Sequence, residues 1–369
     1  TGVQTCALPI LLLLLLIRPQ GFFGHGDSGS VAAPPPQPEK TSVATGPRPK
    51  WQSYGSLGVV LVALGVFPLI VSGNYWLHVM CMAFIYAVVA SSFRTITISG
   101  QFSIAHAAYF GVGAYVSGMA SMWLGWSPWL TIILGAIAAA ALGCILAFPF
   151  VRLRAIYYAM GTLFLGVVIV NLFTVGGKWT GGTSGLSGLQ PLFRGSRVPY
   201  YYLLLAVAII SLIALYRFEF SRTGVTLKAI AQSHHVASSV GINERNYRML
   251  AVGFACFFAG LAGGFYAHYQ MAVAPTSFAL SATLWIIMYV LVGGINSFWG
   301  PSIGVAMLLI IPEFFRDMKG YLPFVSAGIL LVIAFTLRKQ GLAGLPRLIH
   351  SRFARKSAER EVSPDALGN

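Results

Sequence analysis

Two stretches of this chain carry neutral polar side chains into otherwise apolar surroundings. Residues 100–115, GQFSIAHAAYFGVGAY, place Gln101, Ser103 and His106 beside Gly100, Gly111 and Gly113. Residues 293–304, GGINSFWGPSIG, set Gly293, Gly294 and Asn296 in a second run. Amide, hydroxyl and imidazole groups of this kind can hydrogen-bond the polar ends of a small solute. Glycine-interrupted apolar segments in both halves of a chain point to a solute path near the middle of a bilayer. Each polar residue alone, Thr162 and Asn171 included, also reads as an interhelical hydrogen bond, worth about 0.6 kcal/mol on average. Gly260 and Gly264 form a small-xxx-small pair, which reads as helix packing.

A third stretch, 217–248, is polar and reads RFEFSRTGVTLKAIAQSHHVASSVGINERNYR. Leu227, Ile230, Ala237 and Val240 recur near helical spacing, and Gly241 comes next as a C-terminal stop. This pattern predicts a short helix with one apolar face, suited to lying on a membrane surface or to docking a soluble partner.

Catalytic chemistry has no such footing. There is no HExxH and no metal-ligand cluster of His, Cys or carboxylate. His234 and His235 are adjacent, so their rings leave a helix on different faces. The GGK at 176–178 lacks the GxxxxGK[ST] frame, with Trp179 where a hydroxyl would meet Mg²⁺. The four cysteines, Cys6, Cys81, Cys144 and Cys256, have no paired spacing. No catalytic, cofactor or metal residue is expected. The nine acidic residues avoid the middles of the apolar segments. Gradient-driven carriers usually place ionisable groups there, so their absence argues against self-powered transport.

The elements that hold these residues can be read from composition. The chain has 369 residues, 57% hydrophobic and 9% charged, with 41 glycines. An ordinary soluble domain carries about 25% charged residues. So few charges cannot coat a soluble body of this size, and lipid is the expected solvent. Apolar spans run near 57–73, 75–93, 103–124, 128–151, 155–175, 200–218, 249–270, 280–295, 299–315 and 321–337. Spans of about 20 residues match the hydrocarbon thickness and must be helical, because lipid satisfies no backbone group. The expected fold is all-α, a polytopic transmembrane bundle of about ten spans.

The net charge of +15 is read as topology rather than nucleic-acid binding. With the segment before Leu57 inside, eighteen Lys/Arg fall on inside segments, among them Arg94, Arg152, Arg154, Arg217, Lys228 and Arg338. Five fall outside: Lys178, Arg194, Arg197, Arg316 and Lys319. Residues 217–248 are then cytoplasmic, as is the C-terminus. Residues 1–50 read apart from the rest, with a short leucine-rich run at 9–17 and a proline-rich linker at 31–50; the opening TGVQTCALPI looks like a translated sequencing-adapter remnant. The domains expected are a separate segment at 1–50, a transmembrane bundle at 51–345 and a basic cytoplasmic tail at 346–369.

Seven blocks in order carry a family likeness: SGQFSIAHAAYFGVGAY (99–115), RLRAIYYAMGTLFLG (152–166), TGGTSGLSG (180–188), SRTGVTLKAIAQSHHVASSVGIN (221–243), FFAGLAGGFYAHY (257–269), GGINSFWGP (293–301) and RKQGLAG (338–344). With them the chain resembles the permease subunits of ATP-binding-cassette importers for branched-chain amino acids, most closely the second, M-type permease, over about 57–345. The resemblance implies a second permease subunit, two cytoplasmic ATPases, a periplasmic binding protein and a place in a bacterial inner membrane. It implies that 228–241, with Lys228, Ala229, Ile230, His234, Ala237 and Gly241, is the coupling helix seated in an ATPase groove. ATP-driven closure of the ATPases would push this helix and rock the spans toward outward opening. Relatives often carry acidic residues after the Lys/Arg-Ala-Ile start of this helix. Here Gln232, Ser233, His234 and His235 occupy those positions, which argues against a salt-bridged ATPase contact but not against docking. A sibling permease for urea or short amides, and a secondary active transporter, are the alternatives.

Overall fold

The computed structural model describes residues 64–68, 73–150, 155–193, 195 and 197–314. The expected span at 321–337, the segment 1–50 and the tail 346–369 lie outside the described residues, as does most of the span at 57–73. The chain divides into two units, Thr1–Gly73 and Asn74–Asn369. In the first unit, residues 64–68 are helical.

The second unit carries the helices α1 (Asn74–Thr97), α2 (His106–Trp123), α3 (Pro128–Phe150), α4 (Ala155–Val175), α5 (Val198–Glu219), α6 (Arg222–Gln232), α7 (His234–Ser239), α8 (Glu244–Gln270), α9 (Leu280–Gly293), α10 (Gly300–Val305) and α11 (Ile311–Phe314), with a π-helical stretch at Ala306–Ile310. Among the described residues, six helical stretches are long and apolar enough to cross a membrane: Asn74–Thr97, Pro128–Phe150, Tyr157–Val175, Val198–Glu219, Glu244–Gln270 and Pro275–Gly293. A shorter apolar helix occupies Gly300–Glu313. The protein is a helical, multi-pass membrane bundle. The spans expected from 75–93 to 280–295 fall on α1, α2, α3, α4, α5, α8 and α9 in order.

The helix α2 is not among the six stretches apolar enough to cross, and its place explains why. Fourteen of its 18 residues are buried, so it faces protein rather than lipid and can hold His106, Ser117 and Ser121 without exposing them to hydrocarbon. Eighteen residues still reach about 27 Å. By contrast α3 buries a stripe of small residues, Gly135, Ala136, Ala139, Gly143 and Ala147, and turns Trp129, Ile133, Ile137, Ile145 and Phe148 outward. A small inner stripe with a large apolar outer face suits a helix between protein and lipid.

Three helices meet backbone to backbone. A Cβ on Gly113 of α2 would collide with the Gly260 backbone of α8, and one on Gly263 of α8 with the Phe110 carbonyl of α2. A Cβ on Gly260 would strike Ala139 of α3. Lipid tails are as apolar as leucine, so helices in a bilayer gain by such close packing rather than by leaving water. The expected packing role of Gly260 and Gly264 holds: Gly264 lies against Ile132 of α3.

One end of the bundle is closed by polar contacts. A two-residue antiparallel ladder pairs β1 (Leu186–Ser187) with β2 (Ala272–Val273), in register Leu186↔Val273. The long α4–α5 connection and the α8–α9 connection therefore share that end, as the alternation of spans requires. Below the ladder, His268 Nδ1 donates to the Gln190 carbonyl at 2.7 Å. Its Nε2 is then left to accept from Ser117 Oγ at 3.0 Å, with Thr131 Oγ1 3.1 Å away.

Gly113→Ala and Gly263→Ala should each destabilise the bundle by about 1–3 kcal/mol, the usual cost of overpacking. Gly253→Ala should cost less, because its Cβ would meet only the movable Cys144 side chain. Thermal unfolding of the three variants in detergent checks the order; equal losses would contradict the backbone-contact account.

Candidate functional site

The opposite end carries the charge chemistry. Arg94 lies in the last turn of α1 and Glu219 is the last residue of α5. Their side chains are each 4% exposed and form an ion pair through Arg94 Nη1 and Glu219 Oε2. Arg94 Nη2 donates to Glu219 Oε1 at 3.0 Å, so the contact is a two-pronged fork. This pairing of two parallel N–H···O bonds adds direction as well as energy. The guanidinium has further acceptors: Nε donates to the Ile295 carbonyl at 2.9 Å, and Nη2 reaches the Asn296 carbonyl at 3.5 Å. Phe298 stands 5.9 Å from its carbon.

A second cation completes the cluster. Lys228 Nζ of α6 lies 2.8 Å from Glu219 Oε1 and 4.7 Å from the centre of the Phe220 ring. One carboxylate thus serves two cations, and the surplus charge is met by two carbonyls and two aromatic faces.

Local sequence sets this up. Ser221 caps α6, its Oγ accepting from Gly224 N at 3.4 Å. Gly224 sits so close to the Phe218 and Glu219 carbonyls that a Cβ would collide with them. The chain therefore turns sharply from α5 into α6 and returns Lys228 over Glu219. Leu227, Ile230 and Ala237 are buried at 0%, 1% and 5% exposure, and they anchor α6 and α7.

The expected single helix over 228–241 is two. Ser233 is extended, with φ −156° and ψ 106°, and its side chain accepts from Val236 N to start α7. Lys228, Ala229 and Ile230 lie on α6; His234 and Ala237 lie on α7. Gly241 does stop the second helix, with φ +81° and Ile242 N donating to the Ala237 carbonyl at 3.1 Å. Val240, expected on the apolar inner face, is 75% exposed because α7 ends at Ser239 and Val240 is its cap rather than part of the helix. Val225 and Val236 are exposed beside it, so the outer face of α6 and α7 keeps apolar side chains.

The residues expected along a solute path divide between two places. Gly100, Gln101 and Ser103 occupy the α1–α2 connection. Gln101 and Ser103 are buried, and Gly100, at φ +78°, packs against Ala231 of α6. His106 opens α2, fully buried, with Nε2 2.9 Å from Ser92 Oγ. Gly111 lies along α2 against Phe278 and Phe173. Gly293, Gly294 and Asn296 form the tight α9–α10 hairpin, in which Gly293 and Gly300 press backbone to backbone. Arg94 holds that hairpin to the ends of α1 and α5. The two glycine-rich stretches thus converge near one end of the bundle.

A cavity of about 150 Å³ lies between α2, α4, α9 and the 3-10 turn Pro275–Phe278. Ile104, Ala108, Val170, Asn171, Phe278 and Thr283 are among its lining. Its walls are mostly apolar, and Asn171 and Thr283 supply an amide and a hydroxyl. Of the expected path residues none lines it, but Ile104 and Ala108 flank Ser103 and His106. Composition did not single out Arg94, Glu219 or Thr283. The signal for the first two was an arginine and a glutamate at the ends of two spans running to the same side.

Helices of this length and packing define a polytopic membrane protein whose sealed charge cluster joins a surface helix to its bundle. The family described as branched-chain amino acid transport system / permease component matches residues 75–337, and the chain belongs to it. It is 25% identical over 319 residues to the high-affinity branched-chain amino acid transport system permease protein LivM of Escherichia coli (strain K12), covering 78% of this chain and 75% of that protein. The protein of the same name from Salmonella typhimurium is also 25% identical, over 320 residues, covering 79% of this chain and 75% of that protein. No solved structure matches the chain.

Replacing Glu219 with Leu strands the Arg94 guanidinium without its counter-ion. Breaking a buried pair from one side typically costs about 3–5 kcal/mol. Glu219→Leu should therefore lower thermal stability in detergent more than Arg248→Leu, which breaks a longer, 3.4 Å pair with Glu244 whose side chains are 13% and 21% exposed. Comparable melting shifts would argue against the buried pair.

Proposed function

We propose that this chain is a transmembrane permease subunit of an ATP-binding-cassette importer that forms the path for branched-chain amino acids across a bacterial inner membrane. The observation that carries this reading is the family match over 75–337, which embraces all but the first residue of the six membrane-crossing stretches. The names of the relatives supply the substrate class. A second permease subunit, two cytoplasmic ATPases and a periplasmic binding protein complete the importer in this reading. The chain itself hydrolyses nothing; the ATPases do. The bundle extends over 51–345 with about ten spans, and the segments 1–50 and 346–369 stand outside it, the latter on the cytoplasmic side.

In this reading α6 and α7 form the coupling element. Support comes from their two faces: Leu227, Ile230 and Ala237 are buried against the bundle, while Val225, Val236 and Val240 stay exposed. Exposed apolar groups beside polar ones suit a protein groove better than water. The solute passes along the connection bearing Gly100, Gln101, Ser103 and His106, past Gly111, and toward Gly293, Gly294 and Asn296. The mostly apolar cavity beside that route offers branched aliphatic side chains a surface they can wet, with Asn171 and Thr283 as polar contacts.

Proteoliposomes holding the assembled importer, with ATP on the ATPase side and binding protein opposite, should take up leucine and not urea. Uptake should survive collapse of ion gradients while ATP is held constant. Preference for urea would move the chain to a sibling permease class, and loss of uptake with the gradient would make it a secondary carrier. A Val236→Cys variant should cross-link to the ATPase subunit.

A further inference from the structure

The charge cluster does something that stability alone does not require. Arg94 and Glu219 already satisfy each other in a two-pronged contact. Lys228 joins from a side chain that is 38% exposed, so water could serve it as well. A cation with a wet alternative contributes little to holding the fold together. Its placement nevertheless ties α6 to an acid whose own geometry is fixed by α1.

We propose that Lys228 and Glu219 are positioning residues of a mechanical linkage: displacement of α6 is carried through Lys228 to Glu219, through Arg94 to α1, and on to the α9–α10 hairpin. The inference rests on the reading of α6 and α7 as the coupling element. Three features support it. First, beyond the tight turn at Gly224, α6 meets the bundle through Leu227 and Ile230 and through the approach of Ala231 to Gly100. Apolar contacts have no preferred direction and can slide, whereas an ion pair to a clamped carboxylate resists sliding. Second, Arg94 grips the hairpin by its backbone, at the Ile295 and Asn296 carbonyls. The grip thus acts on the path of the main chain whatever the side chains there are. Third, that hairpin leads through α10 into a π-helical stretch, Ala306–Ile310. Single-turn π segments inside helices are frequent at functional sites. The connection from α6 to the hairpin is thereby continuous: one carboxylate and one guanidinium join four chain segments.

The linkage predicts a split between two activities. Lys228→Met removes the tether and strands no charge, since Glu219 keeps Arg94. In the importer purified with its partner subunits and supplied with binding protein, ATP hydrolysis and leucine uptake are measured together. Leucine imported per ATP hydrolysed should fall about fivefold or more, within the usual range of coupling between distant sites. Lys228→Arg should restore most of that ratio, because a guanidinium still reaches the Glu219 carboxylate. Lys228→Met with an unchanged ratio overturns the linkage. Equal loss of ratio in Lys228→Arg and Lys228→Met overturns it too, since the charge would then be irrelevant. The unsubstituted importer is the control for the underlying reading. If it does not import leucine and the Val236→Cys variant does not cross-link to the ATPase, that reading fails and takes the linkage with it. If both succeed, only the linkage is at stake.

Discussion

Taking a guanidinium and a carboxylate out of water costs several kcal/mol for each ion, and only good geometry and full hydrogen bonding repay it. At one end of this bundle both conditions are met by Arg94 and Glu219. The carboxylate uses both oxygens, and the guanidinium spends its remaining reach on two backbone carbonyls. Because neither ion has solvent to fall back on, the ends of α1 and α5 and the α9–α10 hairpin are held at a single point. The turn from α5 into α6 is fixed by the same requirement. Gly224 must lie on the Phe218 and Glu219 carbonyls for Lys228 to come back over the acid.

Elsewhere the bundle is held differently. Through α2, α3 and α8 the contacts are main chain on main chain at Gly113, Gly260 and Gly263. Such contacts leave no slack, since interiors are packed as closely as crystals. The contacts of α5 with its neighbours include long side chains: Tyr201 meets Phe84 of α1 edge-on, and Phe218 stacks on Phe254 of α8. Side-chain contacts of this kind can re-form after small shifts, as shear between packed helices requires. The distribution favours a tight core of α2, α3 and α8, with α5 and its attached α6 on the more adjustable side.

Much of this fold was legible in the sequence, and the reason is the solvent. Lipid imposes a length and forbids unsatisfied backbone, so span position survives even where residue identity is ambiguous. Thus α1, α3, α4, α5 and α8 could be placed from their apolar runs alone. The helix α2 was legible too, although its Gly, Ser and His content lowers its hydropathy, because burial inside the bundle relaxes the demand for apolar side chains. Gly241 announced a helix stop and delivered one. The break at Ser233 was missed because the apolar residues at 227, 230, 237 and 240 fit one helical repeat. The competing signal, a serine cap, was present but weaker than the periodicity. The candidate site was legible only in part. Lys228 stood out through its motif, but its partner Glu219 lies 9 residues back, and the other partner of Glu219, Arg94, lies 125 residues before that. No periodicity reports a contact between the ends of two spans.

That contact also bears on which end faces the cytoplasm. Arg94 entered the topology count as a loop cation, yet it is buried and paired, and Lys228 is paired as well. A count that depended on them would be suspect. The bias does not depend on them: Arg217, Arg222, Arg245 and Arg248 flank the same end, and among the described residues the opposite end carries Lys178 and Arg197. Glu219 does not offset the tally either, because orientation is set by Lys and Arg rather than by net charge. The proposed reading, with the Arg94 end toward the cytoplasm, therefore keeps its support from the rule even with the cluster set aside. In the proposed reading the buried ions and α6 then lie on the side from which the ATPases would act, which is where a linkage between an ATPase and a membrane bundle has to be.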